Sequence, residues 1–169
     1  MEIHPLVEQL HFARSEFQRG LRGVPEADGF RRFEPMNSIG WIVAHMAWHE
    51  QRYWLTRLAG TTPEPMLDEV AANGGPATTP SLEAMLKAWG HVTSVADEQL
   101  DALGEADMHV ELPGSPPRLV GNALLRVMYH YWFHTGEVVA IRQLLDHPHR
   151  PEFVGDVESQ APYRPAVVR

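Results

Sequence analysis

The sequence predicts an all-α protein, a four-helix bundle with a long crossover between its second and third helices. Apolar residues recur at helical spacing in four long segments, which are bounded by capping residues, glycines and prolines. Residues 59–80 join the second and third segments, are rich in Pro, Gly and Thr, and are too long for a tight turn. A crossover of this kind leaves the two helices parallel.

Each predicted helix has local signals at its ends. Asn37 and Thr79 are the candidate N-caps of the second and third helices, and Pro148 prevents the fourth from continuing. The crossover contains a pattern for one short helix near residues 67–72. The four long helices are predicted to span residues 5–21, 38–58, 80–103 and 121–145.

The chain is predicted to form one domain. Its 169 residues are enough for one hydrophobic core and few for two. We assign residues 1–146 to the bundle. Residues 147–169 contain four prolines and no periodic pattern, so we predict an irregular C-terminal tail that belongs to the same domain.

The amino-acid composition argues against several classes of function. The 22 acidic and 14 basic residues give a net charge of −8, which argues against nucleic acid as a partner, because phosphate binding requires a basic surface. Without cysteine, the chain has neither a thiolate nucleophile nor a sulfur ligand for a metal. It has no run of about 18 apolar residues and no secretory signal at its start. We therefore expect a cytoplasmic protein that binds a small molecule and no membrane.

Two pairs of histidines have the spacing of a helical metal site. On the fourth helix, His134 occupies the apolar seam and His130 lies beside it, one turn away. On the second helix, the heptad places His49 on the seam and His45 beside it. Two imidazoles four residues apart can bind one ion while the backbone stays helical. Facing helices of a bundle are where such sites are assembled, and nitrogen ligands suit zinc, nickel, iron or copper.

The histidine pattern leaves two interpretations open. Either pair alone is simply explained as core or surface histidines that hydrogen-bond without a metal. Two pairs on two amphipathic helices favour a metal site, since each buried polar ring without a partner costs about 1–3 kcal/mol. Three protein ligands with an open position would be typical of a catalytic metal.

The second and fourth helices resemble the DinB-like four-helix bundle superfamily. The resemblance rests on NSIGWIVAHMAWHEQRYWL in the second helix and LLRVMYHYWFHTGEVVAIRQLL in the fourth. That superfamily has a histidine in a context such as SIGWLLAHL on its second helix and the motif HxxxHxGQ on its last. It implies His45, His130 and His134 as metal ligands. Further candidates are His49, from the heptad, and Glu137, which stands where the family often has glutamine and would accept a hydrogen bond or act as a fourth ligand.

The resemblance also implies a function. Characterised relatives depend on a metal, often act with a thiol such as mycothiol, bacillithiol or glutathione, and often form homodimers. They include maleylpyruvate isomerases and thiol S-transferases. We therefore expect a transferase or isomerase that depends on divalent zinc, nickel or iron; the alternatives are a metal-dependent hydrolase and a non-catalytic metal-containing binding or dimerisation module. Arg52, Arg126 and Arg142 are candidates for binding carboxylates of such a thiol or substrate.

Overall fold

The computed structural model describes residues 3–164 and confirms the all-α bundle. Its helices are α1 (Pro5–Leu21), α2 (Glu26–Gly29), α3 (Ile39–Glu50), α4 (Leu67–Ala71), α5 (Leu82–Leu100), α6 (Val120–Leu144) and α7 (Val157–Gln160). A π-helix, Gln51–Ala59, continues α3, and a 3₁₀ turn, Glu105–His109, follows α5. Two short strands, β1 (Glu111–Leu112) and β2 (Arg118–Leu119), pair antiparallel before α6.

Helices α3 and α5 run parallel, as the long crossover predicts. The start of α3 lies against the start of α5, where the backbone at Gly40 approaches Pro80. The other ends of the two helices meet at Arg14, which binds both Glu50 and Asp97. The crossover therefore returns the chain to the end of the bundle from which α3 begins.

The N-caps of α3 and α5 lie further along the chain than the sequence suggested. Ser38 caps α3 and Ser81 caps α5, each by accepting a hydrogen bond at 3.2 Å from the amide three residues ahead. The predicted caps, Asn37 and Thr79, were wrong. In both cases a serine hydroxyl nearer the first turn satisfies the free amide, so the helix begins after the serine.

The second long helix changes from α to π geometry at Gln51. The Gln51 side chain accepts a hydrogen bond from the Glu64 amide at 2.7 Å and donates to the Glu64 carbonyl at 3.0 Å. The segment ends at Gly60, whose φ of 74° favours glycine. Because i→i+5 hydrogen bonds widen the turn, the directions of Arg52 and Arg57 do not follow from an α-helical heptad.

A buried ion pair joins α1 to α3. Arg14 donates from Nε and Nη2 to the two carboxylate oxygens of Glu50, both at 2.7 Å. Glu50 is fully buried and Arg14 is 5% exposed. Burial alone would lower the pKa of Arg14, but the Glu50 carboxylate raises it above its ordinary value. Arg14 also donates to Asp97 on α5, so one side chain connects three helices.

The described part of the C-terminal tail packs against α1. The Gly155 amide donates to Glu16 at 2.9 Å, and Gln9 donates to the Ala161 carbonyl at 2.7 Å. The helix α7 is a regular element that the periodicity did not predict. Residues 165–169, the end of the predicted tail, lie outside the described residues, and the boundary after residue 146 stays a prediction. None of the helices described within residues 3–164 has the length and hydropathy that crossing a membrane requires.

Two glycine substitutions test the contact between α3 and α5. A Cβ at Gly40 would collide with the carbonyl oxygen of Pro80, whereas a Cβ at Gly90, within α5, would meet no atom within 4 Å. We expect Gly40→Ala to lower the free energy of unfolding by about 1–3 kcal/mol. We expect the matched control, Gly90→Ala, to raise it by about 0.5–1 kcal/mol. Urea denaturation measures both changes, and equal stability of the two variants would contradict the close approach.

Candidate metal centre

Three histidines from α3 and α6 converge on one point. One nitrogen from each of His45, His130 and His134 lies within 4.8 Å of the other two. The Nε2 atoms of His130 and His134 are 2.9 Å apart. The ring centroid of His45 lies 5.0 Å from that of His130 and 5.4 Å from that of His134. Metal–nitrogen bonds of about 2.0–2.1 Å would let one ion contact nitrogens this close together.

Backbone and aromatic contacts hold the His45 ring. Its Nδ1 lies 2.8 Å from the carbonyl oxygen of Ala71, at the end of α4. Because a carbonyl only accepts hydrogen bonds, Nδ1 carries the proton and Nε2 keeps its lone pair. Trp41 stacks on the ring with centroids 4.6 Å apart and planes inclined by 12°, and Trp48 stacks at 5.6 Å. These contacts fix both the tautomer and the direction of the free nitrogen.

A carboxylate orients His134 in the same way. The His134 Nδ1 lies 2.8 Å from Oε2 of Glu137, one turn further along α6. The carboxylate accepts the Nδ1 proton, so in the neutral imidazole Nε2 keeps its lone pair. Histidines that bind metals usually donate their second nitrogen to such an acceptor, which fixes the ring and raises its basicity.

The environment lowers the pKa of three imidazoles at the site, those of His45, His49 and His130. Burial lowers the pKa of His45. Burial, together with the neighbouring imidazoles and Arg126, lowers the pKa of His130 to about 3 and that of His49 to about 2. A metal binds the neutral form of histidine, so these rings need not lose a proton to accept an ion.

A cavity of about 1020 Å³ opens beside the histidines. His45 and His130 form part of its wall, so the cluster is accessible to a small molecule. The volume is at the upper end of the range for ligand pockets, about 300–1,000 Å³. Its polar lining includes Arg52, Tyr53, Asp68, Arg118, Asn122 and Arg126.

Comparison with known families gives a match that covers most of the chain. A family model described as the DinB superfamily matches residues 9–138, which include most of α1, all of α3 and α5, and both histidines of α6. The chain belongs to the DinB superfamily. The resemblance read from its second and fourth helices is therefore confirmed. Among curated proteins, no significant match is found.

In this DinB-superfamily chain His45 lies in the nitrogen cluster and His49 lies beside it. The His49 ring is 4.3 Å from that of His130 and 4.8 Å from that of Tyr53. Its Nδ1 is buried and has no hydrogen-bond partner among the described residues. Of the two histidines on α3, the cluster therefore contains His45, which the resemblance implied, rather than His49, which the heptad placed on the seam.

Two of the three predicted substrate arginines line the cavity. Arg52 lies on the π-helix and Arg126 on α6. Arg142 does not line the cavity; it is 1% exposed and donates to the carbonyl oxygens of Gly20 at 2.5 Å and Pro148 at 3.4 Å. Its position on α6 turns it toward α1, so its Nη1 and Nη2 groups are directed to backbone carbonyls.

The structure adds site residues that the sequence did not indicate. Arg57 and Arg118 line the cavity, although neither belongs to a helical repeat around the histidines. The Ala71 carbonyl is a backbone group and leaves no signal in side-chain patterns. The spacing of Trp41 and Trp48 around His45 did indicate that their rings contact the histidine, since the i−4 and i+3 positions share a helix face with it.

Histidines outside the cluster have a different environment. Each of four has a carboxylate partner of its own: His4 with Glu105 at 3.1 Å, His11 with Asp101 at 2.9 Å, His91 with Glu64 at 2.6 Å and His147 with Asp28 at 3.0 Å. Within the cluster, Glu137 is the carboxylate that pairs with an imidazole among the described residues. The other ring nitrogen of His134, Nε2, faces Nε2 of His130 at 2.9 Å.

Proposed function

We propose that this chain binds one divalent metal ion through His45, His130 and His134 and acts with a low-molecular-weight thiol as a transferase or isomerase. The observation that carries the proposal is the orientation of the imidazoles. Ala71 and Glu137 accept the Nδ1 protons of His45 and His134, so in the neutral form of each ring the Nε2 lone pair remains for an ion. Nε2 of His130 lies 2.9 Å from Nε2 of His134.

The donor set defines which ions fit. Three neutral imidazoles suit zinc, nickel or iron. Held by three protein ligands, such an ion would have an open position and would supply Lewis-acid chemistry that lowers the pKa of a thiol or water. The chain has no cysteine, so a thiolate has to come from a separate small molecule.

The surrounding side chains bind and orient the reactants. Trp41 and Trp48 stack on His45 and exclude water from its ring. Arg52 and Arg126 bring positive charge to the cavity wall, where they would hold the carboxylates of a thiol or its acceptor. Glu137 holds the proton at Nδ1 of His134 and so keeps Nε2 directed at the cluster.

A hydrolase is the second candidate, because the same donor set would activate water as readily as a thiol. A metal-containing module without catalysis is the third. We also propose that the protein is cytoplasmic and forms a homodimer. The homodimer is supported by α6, which exposes Tyr129, Phe133 and Leu144 along one side, each more than half accessible.

Metal analysis followed by a thiol screen tests the proposal. Untagged protein, expressed with zinc, nickel and iron in turn, should retain about one equivalent of one ion after gel filtration. Metal-loaded and chelated protein would then be assayed with mycothiol, bacillithiol and glutathione and an electrophilic acceptor. Conjugation that needs both metal and thiol supports a transferase, and turnover of ester or amide substrates without thiol supports the hydrolase. Absence of bound metal under all three conditions refutes the proposal.

Glu137 should tune metal affinity without acting as a ligand. We expect Glu137→Ala to weaken binding about 10–100-fold, because His134 loses the acceptor that fixes its tautomer. Glu137→Gln keeps an acceptor oxygen and should lose less metal affinity than Glu137→Ala. Competition with a chelator of known affinity measures both variants, with Glu98→Gln, an exposed position on α5, as the charge-matched control. Equal affinities for Glu137→Ala and the wild type would show that Glu137 does not support the site.

A further inference from the structure

The charge of the cavity is opposite to that of the whole chain. The chain carries a net charge of −8, yet four arginines line the cavity: Arg52, Arg57, Arg118 and Arg126. Asp68 is the carboxylate in the lining, and it accepts a hydrogen bond from Trp48 Nε1 at 2.7 Å. Such a concentration of one sign in a concave site focuses the field and attracts ligands of the opposite sign.

One of the four arginines has a structural role. Arg57 donates to the carbonyl oxygens of Pro113 at 2.5 Å, Pro116 at 3.0 Å and Leu112 at 3.3 Å. It therefore ties the π-helix to the β1–β2 hairpin. Because Arg118 begins β2, this clamp also positions Arg118 at the cavity.

The other three guanidinium groups have no carboxylate partner among the residues that the structure describes. Within residues 3–164, no acidic oxygen lies within 4.0 Å of Arg52, Arg118 or Arg126, whereas Arg14 and Arg19 each form an ion pair. The Nε of Arg118 is buried and has no hydrogen-bond partner in the described part of the chain. The guanidinium groups of Arg52, Arg118 and Arg126 line the cavity and are therefore available to pair with an anionic ligand there.

These charges lie next to the histidines. The positive charge of Arg126 acts on both His49 and His130 and contributes to the low pKa of each, after burial and the neighbouring imidazoles. The guanidinium of Arg52 lies 5.4 Å from the centre of the Trp48 ring, which itself stacks on His45. An anion bound by the arginines would therefore lie in the cavity whose wall His45 and His130 help to form.

We propose that the cavity binds a small dianion, with its charge on carboxylate or phosphate oxygens, held by Arg52, Arg118 and Arg126. A single carboxylate would leave two of the three guanidinium charges uncompensated, whereas a dianion pairs with most of them. Carboxylate and phosphate groups both match the planar fork of arginine. The proposal names the substrate class of the proposed metal site and rests on that function, but the arginine contacts themselves need no metal.

Calorimetric titration of chelated protein tests the binding of anions directly. The probes are succinate and inorganic phosphate, with butyrate as the monoanion and succinamide as the neutral analogue. We expect succinate or phosphate to bind at least about tenfold more tightly than butyrate, and succinamide not to bind. Arg118→Gln and Arg126→Gln should each weaken binding by about tenfold or more. The control Arg22→Gln changes the net charge equally at an exposed position after α1 and should stay within about twofold of wild type.

The pattern of results separates this proposal from the metal proposal. Succinate binding that depends on Arg118 and Arg126 supports a dicarboxylate, and phosphate binding with the same dependence supports a phosphorylated ligand. Binding of neither anion, or binding that survives both substitutions, overturns the anion site. Retention of zinc, nickel and iron is measured on the same preparations before chelation, so absence of all three ions with intact anion binding refutes the metal centre alone.

Discussion

Replacing His134 with alanine is expected to reduce bound metal from about one equivalent to nearly none. The substitution removes one Nε2 donor and also releases Glu137 from its hydrogen bond. Two imidazoles would remain, and a site with two protein ligands exchanges its ion far more readily than a site with three. Inductively coupled plasma analysis after gel filtration measures the metal, and circular dichroism of the same sample verifies that the helices persist.

Matched histidine variants make this result specific. His91→Ala removes an exposed imidazole that pairs with Glu64, and it should leave the metal content unchanged. His45→Ala should behave as His134→Ala does, while His49→Ala should retain most of the metal. Retention in His45→Ala combined with loss in His49→Ala would instead favour the heptad interpretation, in which His49 is the ligand. Unchanged metal in every variant would place the ion outside the cluster.

Breaking the buried ion pair should have the largest effect on stability. We expect Arg14→Leu to lower the free energy of unfolding by about 3–5 kcal/mol, because it leaves the fully buried Glu50 carboxylate without a counter-ion. That loss is a large part of the roughly 5–15 kcal/mol that stabilises a typical domain. Urea denaturation followed by circular dichroism measures the change.

The double variant is the control for this prediction. Arg14→Leu combined with Glu50→Leu removes both charges, so no buried charge is left unpaired and most of the stability should return. Asp97, the other partner of Arg14, is partly exposed and can be solvated without it. A loss below about 1 kcal/mol in Arg14→Leu would be in the range of an exposed pair and would contradict the buried geometry.

Helix positions were predictable because their signals are local. The range predicted for the first helix, residues 5–21, agrees with α1 (Pro5–Leu21), and the range 121–145 nearly agrees with α6 (Val120–Leu144). Apolar spacing, glycines and prolines act over one or two turns, so they can be read from neighbouring residues. The change to π geometry at Gln51 was not predicted, since it has no comparable signal in the sequence.

The candidate site was predictable in part. The spacing of His130 and His134 put both rings on adjacent lines of one helix, and the structure places their Nε2 atoms 2.9 Å apart. Glu137 follows His134 by three residues, so their contact is again local. The family resemblance pointed to His45, although the heptad placed its neighbour His49 on the seam.

The features of the fold and the site that the sequence did not predict depend on contacts between residues distant in the chain. Arg14 and Glu50 pair across 36 positions, and Arg118 reaches the cavity through a hairpin clamped from the π-helix. Arg142 turned toward backbone carbonyls because α1 packs against α6 on that side. The periodicity of the sequence indicates which face of a helix is apolar. It does not indicate the partner of a polar side chain, because that partner is determined by how the helices pack. The amino-acid pattern therefore determined the four helices and the histidine pairs, and tertiary packing decided which charges were neutralised and which remained at the cavity.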